Sequence, residues 1–134
     1  MAIFISENKE DTLEFAKKYA STLKGGDVVL LGGEMGAGKT VFAKGVALGL
    51  GIEDEVLSPT YAYMNDYDGK LYHFDCYRLK NGGQAEALGL CDYFYSDGIC
   101  LIEWAENISS VLPEKVKRVN IEKLGGDKRR IEYE

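Results

Sequence analysis

The sequence predicts an α/β fold, a sheet with parallel core strands, antiparallel hairpins at its edges and flanking helices. Three observations predict it. DVVLLGG, Asp27 to Gly33, is an apolar run of strand length, as suits a parallel strand buried on both faces. GICLIEW is a second such run, ending in the acid Glu103. Between them GGEMGAGKT, Gly32 to Thr40, is a glycine-rich loop that leaves a strand and opens a helix. Strand, loop, helix and second buried strand together spell a P-loop NTPase-like core.

The remaining elements follow in chain order. AIFIS reads as a short opening strand. DTLEFAKKYASTL carries Leu13, Phe15, Ala16, Tyr19, Ala20 and Leu23 at helical spacing, and Gly25-Gly26 ends it. A helix from Lys39 to Leu50 follows the glycine-rich loop and stops at Gly51. In YAYMNDYDGKLYHFDCY, two β-rich runs flank Asp68-Gly69, a signal for a two-residue hairpin turn. A short helix around Gln84 to Leu88 precedes the second buried strand. After the Pro113 loop, KVKRVNIEKL and KRRIEYE form a hairpin across Gly125-Gly126-Asp127.

Composition narrows the class. The 134 residues read as a single domain, 1–134. No apolar run approaches the ~20 residues of a membrane span. MAIFISENKED has no basic flank and turns acidic at once, unlike a secretory leader. Three cysteines without a CxxC pair, and one histidine, suit reduced thiols in a cytoplasmic protein better than a disulfide scaffold or a zinc site. A net charge of −6 is a poor match for a nucleic-acid backbone, so RNA is reached only through a partner.

The loop fits the Walker A pattern, Gly33-x-x-x-x-Gly38-Lys39-Thr40, at every specified position. Backbone N–H groups from Gly33, Glu34, Met35, Gly36, Ala37 and Gly38 through to Val41 are expected to cradle phosphates at a helix N-terminus. Lys39 then meets the β- and γ-phosphates and Thr40 the Mg²⁺ ion. Such a site needs an acid at the end of a neighbouring strand, and Glu103 supplies it. HFDCYR is the third element: on a strand, His73, Asp75 and Tyr77 share one face and Phe74 and Cys76 the other. Asp75 is expected either to hold Mg²⁺ through water or to orient an attacking water. Arg78 meets phosphate or pairs with an acid, and His73 is a structural histidine or part of this polar row. In LSPTY, the loop Ser58-Pro59-Thr60 reads either as a switch-like sensor of the γ-phosphate or as an ordinary turn.

Two further matches fail on context. NKED, Asn8 to Asp11, imitates a guanine-reading motif but lies too close to the cradle. DYDG, Asp66 to Gly69, is the hairpin turn itself.

GEMGAGKT, SPTY, HFDCYR and IEWAE, in this order, resemble the bacterial TsaE family (formerly YjeE) over nearly the whole chain, including EALGLCDYF and Pro113. That family is the small ATPase of tRNA threonylcarbamoyladenosine synthesis. The resemblance implies ATP/ADP and Mg²⁺ as ligands and the TsaB–TsaD pair as partners. TsaD there transfers a threonylcarbamoyl group to adenosine 37 of tRNAs reading ANN codons, and the ATPase resets or drives the complex. Carried over by matching position, Lys39 binds phosphate, Thr40 and Glu103 serve Mg²⁺, and Asp75 supports hydrolysis. Trp104 follows the acid as in the family, and adenine lies near Thr12 and Arg129 or Arg130. Glu34-Met35 replaces the family's common Asp-Leu.

Four arginines, Arg78, Arg118, Arg129 and Arg130, are few for stabilising charge in cis. The expectation is therefore slow hydrolysis alone, accelerated by partners. A small-molecule kinase or a nucleotide-dependent binding module are the alternatives, and self-association is left open.

Overall fold

The computed structural model describes residues 1–57 and 63–134, and Ser58, Pro59 and Thr60 of the expected switch-like loop lie outside them. The strands are β1 (Ala2–Ser6), β2 (Val28–Gly32), β3 (Met64–Tyr67), β4 (Leu71–Asp75), β5 (Ile99–Glu103), β6 (Lys117–Gly125) and β7 (Lys128–Tyr133). The helices are α1 (Lys9–Ala20), α2 (Lys39–Gly49) and α3 (Gly82–Ala87), with 3₁₀ segments at Leu90–Tyr95 and Ala105–Val111. All the strands join one sheet in the order β1-β7-β6-β2-β5-β4-β3.

Its core, β6-β2-β5-β4, is parallel. β7 and β1 extend it antiparallel on one side and β3 on the other. Parallel core and antiparallel edges thus match the fold expected from sequence, with one refinement. Each hairpin gives its inner strand, β6 or β4, to the parallel core, and only the outer strand is an antiparallel addition.

Both faces of the core strands are covered, which explains their unbroken apolar sequence. Val29, Leu31, Leu71 and Leu101 point to one face, where α1 and α2 pack with Ala16, Phe42 and Val46. Val28, Phe74, Cys100 and Ile102 point to the other, beneath Ala85 of α3 and Phe94 and Ile108 of the 3₁₀ segments. The pleat's period of two sorts one run of apolar residues into two cores.

Local chemistry sets the ends. The Asn8 side chain accepts from the Asp11 N–H and the Asp11 carboxylate from the Glu7 N–H, both at 2.9 Å, so NKED is the N-cap and first turn of α1. Glu10 and Asp11 in that first turn and Lys17 and Lys18 in the last suit the helix dipole. In the β3–β4 turn, Asp68 and Gly69 both take positive φ and the Gly69 N–H donates to Asp66 Oδ1 at 2.9 Å.

α1 and α2 meet through small residues. A Cβ at Gly45 would stand 2.5 Å from Ala16 Cβ and 2.6 Å from the Leu13 carbonyl oxygen. Gly45→Ala would therefore wedge the helices apart. Overpacking costs about 1–3 kcal/mol, which outweighs the roughly 1 kcal/mol of helix propensity that Ala gains over Gly. We expect a net destabilisation in urea denaturation; unchanged stability would show that the helices close with slack.

Candidate functional site

β2 ends at Gly32 and the chain turns over Gly33 to Gly38 before α2 begins at Lys39. Three glycines of the turn have positive φ, 143° at Gly33, 79° at Gly36 and 106° at Gly38. A Cβ at Gly33 would also lie 2.7 Å from the Ile121 carbonyl oxygen, so both conformation and space demand glycine there. Ala37 is buried in the core beneath the loop and anchors it. Gly38 is the N-cap of α2, with no side chain to satisfy the first N–H groups of the helix. A helix N-terminus opening from such a loop is how phosphate is held in sites of this kind.

The cradle faces a cavity of about 440 Å³. On the opposite wall stand the ends of β4 and β5, with Asp75 and Glu103 side by side in parallel register. Lys39 is only 9% exposed; its Nζ lies 3.8 Å from Glu103 Oε1 and 4.8 Å from the centroid of the Trp104 ring. Trp104 has φ 58°, a left-handed turn directly after the strand, and its ring and that of Tyr77 meet in a T-shaped pair at 5.0 Å between centroids. Glu103 Oε2 lies 2.6 Å from Nε2 of the wholly buried His73, whose Nδ1 has no partner among the described residues. Asp75 Oδ1 accepts from the Tyr77 N–H at 3.0 Å. The buried Lys39 is thus flanked by a carboxylate and an indole face, and the carboxylate is itself held from behind.

Not every residue singled out in the sequence reaches this cavity. Met35, Gly36, Gly38, Lys39, Thr40, Val41, Asp75, Glu103, Trp104, Thr12 and Arg129 line it. Thr12 is nearly buried, and its hydroxyl shares a 2.6 Å hydrogen bond with that of Ser6. Glu34 contributes its carbonyl, which accepts from the Ala37 N–H at 3.0 Å within the loop. Tyr77 does not continue the polar row, because β4 ends at Asp75 and the chain turns; its ring rejoins the site through Trp104. Arg78 lies over the Tyr63 ring, 5.1 Å from its centroid. Arg130 pairs with Glu132 on the far face of the sheet. The reason is the pleat: Ile131 and Tyr133 belong to the α1–α2 core, and Arg129 is in phase with them while Arg130 is not.

Lys9 and Asp127 also line the cavity and were missed in the sequence. Lys9 stands three residues before Thr12 on α1, which places them on one helix face; Asp127 sits at the tip of the last hairpin. Cys76, one residue past Asp75, is no hidden nucleophile. Burial first, and then the Asp75 charge, push its thiol up to about 12. Among the described residues, no three His, Cys, Asp or Glu side chains gather as a metal cage. None of the described helices is long and apolar enough to cross a membrane.

A glycine-rich strand-loop-helix turn opposed by strand-end carboxylates, on one sheet with a parallel core and antiparallel edges, defines the class: an α/β protein with its cavity at the strand ends. Comparison with known proteins narrows this further. A sequence model of the family described as threonylcarbamoyl adenosine biosynthesis protein TsaE matches residues 6–131. The chain is 45% identical over 129 residues to a Bacillus subtilis protein named tRNA threonylcarbamoyladenosine biosynthesis protein TsaE, covering 94% of this chain and 80% of that one. A protein of the same name from Treponema pallidum is 39% identical, covering 95% and 96%. The crystal structure of YdiB from Bacillus subtilis superposes with a TM-score of 0.82 at 39% identity, covering 98% of this chain and 83% of that one. The chain belongs to the TsaE family.

The loop geometry makes one expectation separable from crowding. A Cβ at Gly38 would meet nothing closer than Arg129 Nε at 3.9 Å, an ordinary contact, yet φ is 106°. Gly38→Ala should therefore cost about 1–3 kcal/mol through backbone strain alone. Urea denaturation checks this; a loss well below that range would mean the loop relaxes around the new side chain.

Proposed function

We propose that this chain is an ATP-hydrolysing subunit that serves threonylcarbamoylation of adenosine 37 in tRNAs reading ANN codons, in the cytoplasm and together with the TsaB–TsaD pair. Membership of the TsaE family supports the pathway. One observation carries the chemistry: Lys39, at the end of the cradle, stands 3.8 Å from Glu103, with Asp75 in register beside that acid. A cation at the phosphates and two carboxylates across from it are the parts that phosphoryl transfer to water requires.

The residues fit Mg²⁺. This ion keeps several waters and takes only one or two protein groups beside phosphate oxygens, so the lack of a cage among the described residues agrees with it. The Thr40 hydroxyl and Glu103 would hold it. Bound there, the ion would offset the negative charge of the phosphates. Lys39 exchanges Glu103 for phosphate, which frees Glu103 Oε1, while His73 keeps the carboxylate aimed. Asp75, held at one oxygen by the Tyr77 N–H, orients the attacking water. Thr12 and Lys9 bound the part of the cavity left for the nucleoside.

Hydrolysis by the chain alone is slow in this reading. Arg129, the arginine on the cavity wall, already donates to backbone carbonyls. Charge stabilisation in the transition state is then left to a partner, a contribution of about 10³-fold or more in related enzymes.

Phosphate release from ATP and from GTP, with and without purified TsaB–TsaD, tests the proposal. ATP hydrolysis near background alone, raised by the pair, is expected; equal turnover in both conditions, or a preference for GTP, would overturn it. Asp75→Asn should lower the stimulated rate by about 10²-fold or more while ADP still binds. An unaffected rate would remove Asp75 from the reaction.

A further inference from the structure

The alternation of β6 and β7 puts two cations over the phosphate cradle. Val119 and Ile121 of β6 and Ile131 of β7 face the α1–α2 core. Two residues on toward the hairpin tip, Lys123 and Arg129 fall on that same face, directly opposite each other in register. Like charges so paired are unfavourable unless something nearby compensates. For Arg129 the compensation is visible. Its Nε donates to the Ala37 carbonyl at 2.7 Å and its Nη2 to the Gly36 carbonyl at 3.3 Å. Its Nη1 donates to the carbonyls of Gly126 and Lys128 at 2.7 and 2.9 Å. One planar guanidinium therefore ties two peptides of the cradle to two peptides of a hairpin tip some ninety residues later.

We propose that Arg129 is a positioning residue that holds the phosphate cradle in its binding shape before any phosphate arrives. This rests on the reading of the cavity as a nucleotide site. A cradle turns its N–H groups inward and so crowds like partial charges together; without an anion it tends to open. Arg129 grips the carbonyls of two successive peptides of the loop, Gly36–Ala37 and Ala37–Gly38. It thereby opposes that opening, and it polarises each peptide so that its chain of hydrogen bonds strengthens. The cost of ordering the loop is met in folding rather than at binding.

The test uses Arg129→Ala and Arg129→Lys in the full chain. In the nucleotide-free protein, exchange of the Ala37 and Phe42 amides, which donate to Glu34 and Gly38 within the loop and its helix, should accelerate about tenfold or more in both variants, against unchanged exchange in β5. The affinity for ADP should fall by about ten- to a hundredfold, the range expected for lost hydrogen bonds from a charged donor. With ATP and the TsaB–TsaD pair, the loss should appear mainly in KM rather than kcat. Lysine should not rescue, since a single ammonium cannot span four carbonyls. Unchanged loop exchange would overturn the proposal. So would rescue by lysine, which would mean that the side chain meets phosphate as a charge, or a loss confined to kcat, which would mark a catalytic arginine. Should Arg129→Ala fail to fold, Arg129→Lys decides alone. If the unaltered chain binds no ADP, the nucleotide reading fails, but the exchange result still judges Arg129.

Discussion

Everything at the site depends on the parallel register of β2, β5 and β4. Leu31 lies opposite Glu103 and Glu103 opposite Asp75, so three strands end on one line. One residue beyond Leu31 the cradle begins; at the same level stand the two acids. A slip of one residue would turn Glu103 away from Lys39 and send Phe74 into the site, because the pleat alternates faces. The register is protected from slipping by burial on both sides. Leu101 and Cys100 are fully enclosed in different cores, and neither could exchange places without leaving a void in one and an excess in the other. The hydrophobic pattern of two short strands thus aims chemistry that lies at their ends.

That line of strand ends carries buried charge, which constrains what can be changed. Lys39 and Glu103 are each less than one-tenth exposed, and the wholly buried His73 holds Glu103 from behind. Such a group is costly to desolvate and depends on its partners, so losing one partner leaves another stranded at a cost of about 3–5 kcal/mol. The stacking of Trp104 over Lys39 adds a second hold on the ammonium that does not use up a carboxylate oxygen. The left-handed turn at Trp104 makes this possible: a continued strand would have carried the indole to the opposite face. Backbone strain at one non-glycine residue therefore sits where the geometry of the site needs it.

Much of this was legible in the sequence, for reasons that the structure makes plain. VVLLG and ICLIE announce buried parallel strands because both of their faces are covered, and the glycine spacing of the cradle follows from φ angles that other residues avoid. HFD was readable as a row because β4 is a regular strand up to Asp75. Reading failed where the chain leaves regular structure. The strand period does not carry through the turn after Asp75 to Tyr77, and Lys9 and Asp127 lie on elements brought to the cavity only by tertiary packing. The choice between Arg129 and Arg130 was open only in the absence of a phase. Once Ile131 and Tyr133 are taken as inward, period two selects Arg129.

The cavity is assembled from the two ends of the chain closing over its middle. The N-terminus of α1 brings Lys9 and Thr12, and the tip of the β6–β7 hairpin brings Asp127 and Arg129. These ends are themselves joined: β1 pairs with β7 from Ala2–Tyr133 to Ser6–Arg129. The hydroxyl bond between Ser6 and Thr12 then ties the last residue of β1 to the wall of the site. Arg129 consequently stands at a junction, since its strand is braced by β1 on one side and by β6 on the other while its side chain grips the cradle. Loosening β1 from β7 would free the arginine as well as the threonine wall. The edge of the sheet, far from the strand-end acids in sequence order, is therefore part of what shapes the loop that the acids face.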